Sequence, residues 1–510
     1  MTDRRKEFRN LVSNLSSVPQ NVITEQKKRV GQSPYRQQFH LESIMGQLND
    51  PNGFSFFAGY YHLFYQSFPL KFTQNPTYFE QGWQHLKSRN LIDWQDLGQA
   101  MANNTKYDQY GVYSGSAIQA NNRLFLMYTG NSWIGTNTPH WHRMPTQLGA
   151  WMDRNDCVTK LKSPLIKGRI KGYTGHFRDP KIFQKKGIYY AVIGAQKTNQ
   201  KGTVLLYKSQ DLLTWKKIGE VKTNFDKNMG YMCECPDYFE LAHHGILLFC
   251  PQGLNTKNNR FLNQYQACYS IGQPLNLNTG QFTGTEFNEI DQGFDFYAPQ
   301  TMLTPDGRRV LIAWMSILNG NDPTVDYDYT GCLTFPRELT CDGKYLYQKP
   351  IDEIKDLAIA QLIAEKTVRQ EEKIAEGRNQ RDLKLTIKCG SKSIFVLDLF
   401  SDDKNSKHLR LILNAIKNRF IVNRAKAGAN FEDEYGTERS CAIDLSKEIQ
   451  LRILQDTSSA EIFLENGKHV FTMRVFTSIE QNKIFVTSLN EATKIEYEIN
   501  CLRAIKRTGD

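Results

Sequence analysis

Gly59-Tyr60-Tyr61-His62-Leu63-Phe64-Tyr65 sets a turn-forming glycine directly before six residues that suit a pleated, largely buried strand. The same unit returns as Asn122 before Arg123-Leu124-Phe125-Leu126-Met127-Tyr128, Gly187 before Ile188-Tyr189-Tyr190-Ala191-Val192-Ile193, and Gly245 before Ile246-Leu247-Leu248-Phe249. A fifth copy has Gly307 shortly before Val310-Leu311-Ile312-Ala313-Trp314. The interval is about 60 residues each time, so five units fill the chain from 39 to 340. Ser88-Arg89-Asn90-Leu91-Ile92-Asp93-Trp94 is echoed by Ser209-Gln210-Asp211-Leu212-Leu213-Thr214-Trp215, a second sign of repetition. Multi-stranded β units in series close on themselves as a propeller, and the count predicts five blades over residues 39–350.

Outward from this region the pattern changes twice. Between 351 and 375 Ile, Glu, Lys, Ala and Gln accumulate without alternation, which predicts a linker or short helix opening at Ile351-Asp352-Glu353-Ile354. Alternating runs then return at Leu383–Ile387, Ser393–Asp398, His408–Leu413 and Ile449–Leu454. Glu461-Ile462-Phe463-Leu464 and Val470–Arg474 flank a turn at Glu465-Asn466-Gly467-Lys468 and read as a hairpin, so residues 376–510 are expected to form a β-sandwich. On the other side, Phe8, Leu11, Leu15 and Val18 recur at helical spacing, predicting an amphipathic helix before Pro19 within an N-terminal extension over 1–38. The fold class expected is therefore all-β, a propeller followed by a sandwich, with a short helical extension.

Composition narrows the function classes. A chain of 510 residues with 40% hydrophobic content is too long for one core and too apolar for disorder. No window is apolar enough to span a bilayer and no signal core follows Met1-Thr2-Asp3-Arg4-Arg5-Lys6-Glu7, so a cytoplasmic protein without a membrane partner is expected. The ten cysteines are scattered, as free thiols in a reducing compartment would be. Cys233-Glu234-Cys235 lacks the second cysteine pair or histidine that a metal site requires, and no metal is expected. The net charge of +11 comes from basic residues interspersed with acids, which is a solvated surface and not a nucleic-acid stripe.

The segments just before the five turns carry the chemistry. Asn49-Asp50-Pro51-Asn52-Gly53, Ser114-Gly115-Ser116, Arg178-Asp179-Pro180, Glu234-Cys235-Pro236-Asp237 and Ala298-Pro299-Gln300 occupy equivalent places in successive units. First strands line a propeller's channel, so Asp50, Asp179 and Glu234 are expected to converge at one end of it. Each motif alone is ordinary turn chemistry. Three acids in one register, with Arg178 beside them, instead suit glycoside hydrolysis, where retention of configuration needs one ionised and one protonated carboxyl about 5 to 5.5 Å apart.

With Phe177-Arg178-Asp179-Pro180 between the Asp50 and Glu234 motifs, and Tyr113-Ser114-Gly115-Ser116-Ala117, Asp295-Phe296-Tyr297-Ala298-Pro299-Gln300, Gly331–Leu339 and Ser459–Leu464 in support, almost the whole chain resembles glycoside hydrolase family 32, the β-fructofuranosidases. That family has a five-bladed propeller and a sandwich. The resemblance implies Asp50 as nucleophile, Glu234 as acid and then base, and Asp179 as the group that stabilises the transition state by binding fructose hydroxyls. It further implies that Gln47, Asn49, Gln66, Tyr113, Ser114 and Arg178 contact the sugar, and that Trp314 offers a stacking face or belongs to the core of the fifth blade. No metal or organic cofactor is required. Gln47-Leu48 stands where the family often has an aromatic residue and Met, and Cys233 where it frequently has Trp, and both departures touch the pocket wall.

The segment Ser33–Leu41 is similar to that of bacterial enzymes acting on sucrose-6-phosphate, for which His85, Lys87, His140, His142 and Arg143 are candidate phosphate contacts. A hydrolase of sucrose-6-phosphate or sucrose is thus the leading expectation. Its competitors are a fructan or fructo-oligosaccharide exohydrolase of the same family and a non-catalytic carbohydrate-binding propeller. The partner expected is a small sugar.

Overall fold

The computed structural model describes residues 14–509 other than 74, 76–77, 135–141, 226–228, 318–321, 430 and 432. Five antiparallel sheets follow one another along the chain, their first strands being Gly46–Phe57, Val112–Ala120, Tyr173–Lys185, Met232–Leu241 and Tyr297–Leu303. Each of these strands packs against the next, and the fifth packs back against the first, so the series closes into a ring. Two further chain segments complete the first sheet, each by parallel pairing: Tyr329–Thr330 lies beside the first strand, and Arg507–Thr508 lies beside Trp94–Met101.

The repeated turns explain why the units look alike. Ala58-Gly59, Asn121-Asn122 and Lys186-Gly187 each have two successive residues at positive φ, the geometry of a two-residue hairpin whose twist matches its strands. In the fourth unit the turn falls at Ala242-His243, two residues before the expected Gly245. Gly245 is instead inside the second strand, where a Cβ would lie 2.7 Å from the Gln273 carbonyl oxygen, so close packing and not a turn requires glycine there.

The N-terminal helix differs from expectation. Residues 1–13, which include Phe8 and Leu11, lie outside the described residues, and the α-helix found is Gln20–Gly31, after Pro19. A proline has no N–H to contribute, so it is tolerated where a helix starts and marks this helix's beginning, and of the expected positions before it Leu15 lies in a short 3-10 turn, Leu15–Ser17. Val30 buries against Met45 and Tyr329.

The 351–375 segment is not a free linker. After the 3-10 turn Asp352–Leu357, whose Ile354 and Leu357 are buried, it forms strands Ala358–Val368 and Glu372–Ala375. These lie at the edges of the two six-stranded sheets that make the C-terminal part. Most of Ala358–Val368 is exposed on both faces, so its sequence lacks the alternation that marks a strand with one side buried. Between these sheets Leu385, Leu397, Leu411, Ile453, Ile462 and Phe471 form a continuous core.

Buried polar groups join the two parts. Arg337, wholly buried, donates from Nε to Glu461 Oε2 at 2.8 Å and from Nη1 to Asp291 Oδ2 at 3.1 Å. Glu461 Oε1 accepts from the Phe335 amide at 2.7 Å and bonds His40 Nε2 at 2.7 Å, while His40 Nδ1 meets Asp456 Oδ2 at 2.9 Å. The hairpin tip Gly467, at φ 83°, accepts from the Gln348 amide at 3.1 Å in an approach too close for any side chain.

Candidate active site

At one end of the ring all five first strands break register with their neighbours, at 49–50, 113–114, 179–180, 235–236 and 298–299. Such bulges re-aim side chains that regular pleating would send to alternate faces. Asp179, Cys235 and Ala298 sit at φ of 67°, 44° and 50°, and each directly precedes a proline. Strained backbone at three equivalent positions is the pattern of a site whose surroundings hold it in place.

These bends bring the three predicted acids together through Cys235. Its amide donates to Asp179 Oδ2 at 3.1 Å, its thiol lies 3.6 Å from Asp50 Oδ2, and Glu234 is its chain neighbour. Asp50 Oδ2 also accepts from Ser114 Oγ, and Asn52 links the first two strands by donating to the Asp50 carbonyl and accepting from the Gly115 amide, both at 2.8 Å. Arg178 Nε donates to Glu234 Oε1 at 2.8 Å and lies 3.9 Å from Asp179 Oδ2. The other Glu234 oxygen accepts from Gln252 Nε2 at 2.6 Å and from the Tyr297 hydroxyl at 2.5 Å.

Electrostatics follow from this crowding. Burial, with the Glu234 charge adding to it, raises the Asp50 pKa to about 6, against the hydrogen bonds from Ser114 and Cys235 that favour its ionised form. Burial also raises Asp179, reinforced by Glu234 and Asp50 and opposed by Arg178. Burial and the neighbouring cations Arg178 and Arg143 lower His176 to about 4, leaving a neutral ring whose Nδ1 is 3.0 Å from Arg178 Nη1.

The remaining predicted contacts divide. Gln47 donates to Asn49 Oδ1 at 2.5 Å and accepts from Lys71, so both are held on the bulged strand. Gln66 is buried opposite Trp83, whose indole N–H donates to the Tyr113 carbonyl at 3.2 Å. Trp314 is 1% exposed and packed in the core, so of its two readings the core one describes its place, with no open face for stacking. Of the candidate phosphate contacts, His85 is buried against Phe64 and paired with His62, Lys87 is held by Asp156, His142 is exposed, and His140 lies outside the described residues. His62, His85 and Asp156 bring three potential metal ligands together, but His62 Nδ1 and His85 Nε2 bond each other at 2.9 Å and Lys87 neutralises Asp156 at 2.5 Å.

Gln252, Tyr297, Cys235 and Lys71 were not among the predicted residues. Tyr297 and Cys235 stand inside the quoted motifs, so position beside an acid was the available signal; Gln252 and Lys71 come from neighbouring segments and carry none.

Comparison with known proteins accords with this geometry. Residues 40–350 match the glycosyl hydrolases family 32 N-terminal domain and residues 353–501 the family's C-terminal domain. The sucrose-6-phosphate hydrolase of Pediococcus pentosaceus is 36% identical over 471 residues, covering 92% of this chain and 91% of that protein. That of Staphylococcus xylosus is 36% identical over 493 residues, covering 94% and 95%. Among solved structures, sucrose-6-phosphate hydrolase from Lactobacillus gasseri superposes with a TM-score of 0.88 at 32% identity, over 97% of this chain and 98% of that one. A β-fructofuranosidase of Bombyx mori, also solved as a mutant in complex with sucrose, gives 0.80 at 29% identity over 95% and 97%. The likeness runs along nearly the full length of this chain and of these proteins, through both domains of the family, and the chain belongs to glycoside hydrolase family 32.

Proposed function

We propose that this chain is a retaining β-fructofuranosidase that hydrolyses sucrose-6-phosphate, releasing fructose and glucose 6-phosphate. The observation that carries the reading is the meeting of Asp50, Asp179 and Glu234 around Cys235, on three strands bent at equivalent positions. The five sheets are five blades of a propeller spanning 39–350, and the sandwich begins within the segment that follows, at Ala358. A sugar phosphate dianion does not cross a bilayer unaided, so such a substrate is met in the cytoplasm.

In this reading Asp50 attacks the anomeric carbon of the fructosyl unit as Glu234 gives its proton to the glycosidic oxygen, breaking that bond and forming a fructosyl ester. Glu234 then takes a proton from water, which cleaves the ester and restores Asp50, so two inversions retain configuration. Arg178, Gln252 and Tyr297 fix the Glu234 carboxyl against rotation. Asp179, held by the Cys235 amide, faces the sugar, where its hydrogen bonds strengthen as positive charge develops on the ring.

The test is the ratio of kcat/KM for sucrose-6-phosphate and sucrose, with short fructo-oligosaccharides alongside. Preference for the phosphorylated sugar supports the reading, preference for oligosaccharides replaces its substrate, and no turnover of any of them leaves a binding propeller. The pH profile gives a second check. Because Asp50 must be ionised to attack, kcat/KM is expected to rise with pH through about 6. Ser114→Ala removes a donor that favours the ionised form and should move this limb up by about one unit, since a hydrogen bond to a charged group contributes roughly 1.5 to 3 kcal/mol. A limb that stays in place would show that another group sets it.

A further inference from the structure

Arg143 is a half-buried cation near Glu234 and Asp179, with no carboxylate within ion-pair distance among the described residues. It opens the segment His142–Met152 of the second sheet, cross-strand from Trp133, and its guanidinium lies 5.3 Å from the Trp133 ring centre and 5.9 Å from that of Tyr113. Its backbone abuts the strand that carries Arg178 and Asp179, since a Cβ at Gly175 would lie 3.0 Å from the Arg143 carbonyl oxygen. The group is close enough to feel the charges of Glu234, Asp179 and Arg178.

Arg178, Arg337, Arg424 and Arg507 have carboxylate partners in Glu234, Glu461, Asp295 and Asp96, and buried Arg381, Arg439 and Arg474 donate to backbone carbonyls instead, while Arg309, on the side of the ring away from the acids' motifs, shares with Arg143 a buried Nε without an acceptor. Arg143 has no carboxylate within 4.0 Å among the described residues, and its buried Nε finds no acceptor. A half-buried cation without a counter-ion is costly unless a ligand supplies the anion. Two aromatic rings flank the guanidinium, and a planar N–H fork is the group that recognises a phosphate through two parallel hydrogen bonds.

We infer that Arg143 receives the phosphate monoester on the glucosyl unit and is the residue that separates phosphorylated from unphosphorylated sugar. The inference rests on the hydrolase reading above and adds the determinant of its substrate class. A competing basic region rims a cavity of about 800 Å³ beside Tyr231, but Lys201 and Lys257 there are exposed and Arg260 is already paired with Glu289 at 3.7 Å. Arg143 is the better-built receptor because its side chain is half-buried between two rings, has no ion-pair partner among the described residues and lies near Glu234 and Asp179.

The experiment compares the wild-type full chain with Arg143→Gln, Arg143→Lys and a Lys201→Ala/Lys257→Ala double variant, on sucrose-6-phosphate and on sucrose. Arg143→Gln should lower kcat/KM for sucrose-6-phosphate about 100-fold, the scale of a charged bidentate contact, while sucrose changes less than about 3-fold. Glucose 6-phosphate should lose potency as a product inhibitor by a similar factor while fructose does not, and Arg143→Lys should recover part of the preference. Equal losses on both sugars would make Arg143 a merely structural residue and overturn the inference. So would an unchanged preference, or a preference lost only in the double lysine variant. If the wild type cleaves sucrose without preferring its phosphate, this inference falls and the hydrolase reading stands; if it cleaves neither, both fall.

Discussion

Asp50→Asn is expected to lower kcat on sucrose-6-phosphate by on the order of 10⁴-fold or more, because an amide of the same shape cannot form the fructosyl ester. The loss should come without loss of fold. Burial beside Glu234 raises the Asp50 pKa to about 6, so at neutral pH its ionised form is held at a cost to the native state. A neutral side chain removes that cost, and thermal unfolding at pH 7 should therefore occur at the same temperature or somewhat higher. Steady-state hydrolysis beside a calorimetric scan decides the matter. A decrease of only tenfold would take the nucleophile's role away from Asp50, and a fall in both activity and melting temperature would make it a structural residue.

The largest stability effect is expected far from the bulged strands. Glu461→Gln removes the charge that Arg337 meets at Oε2 and that His40 meets at Oε1 at 2.7 Å, all in a site without solvent. Leaving a buried cation short of its partner costs about 3 to 5 kcal/mol, read as a shift in the urea midpoint. Asp291 and Asp456 still hold part of the network, which places the expected value at the lower end of that range. The same network fixes the sign of a pH effect. Burial alone would lower the His40 pKa, but hydrogen bonds to Asp456 and Glu461 outweigh it and raise the value from 6.5 to about 9. The stabilisation this gives is complete below pH 6.5 and is lost as pH climbs through 9. In the variant that alkaline decline should begin at lower pH, and an unchanged pH profile would show that His40 does not depend on Glu461.

What could be read from sequence was whatever recurred. The hairpin turns at Ala58-Gly59, Asn121-Asn122 and Lys186-Gly187 repeat because each needs the same backbone geometry, and the acids lie at a fixed distance before them, so repetition carried both fold and site. Where a residue answered to something other than its own strand, the signal failed. Gly245 imitates a turn because another segment presses on it. Ala358–Val368 hides as a linker because an edge strand with two exposed faces has no alternation. Gln252 and Lys71 reach the site from neighbouring segments, and although Arg143 was a candidate among five basic residues, its buried Nε without an acceptor is a feature no spacing in a sequence can display.

The parallel pairing of Tyr329–Thr330 and Arg507–Thr508 with the first sheet has a temporal consequence. A chain made from its N-terminus presents the Asp50 strand early, yet that strand's flanking partner arrives some 280 residues later, and the outer clasp on Trp94–Met101 only near residue 507. At roughly 5 to 20 residues per second, the Asp50 strand waits on the order of tens of seconds on the ribosome with an unpaired flank. The first sheet therefore cannot be completed in chain order, and its edges stay open to wrong pairing until Arg507–Thr508 has emerged, while the later sheets of the ring, built from strands near one another in the chain, can form in turn.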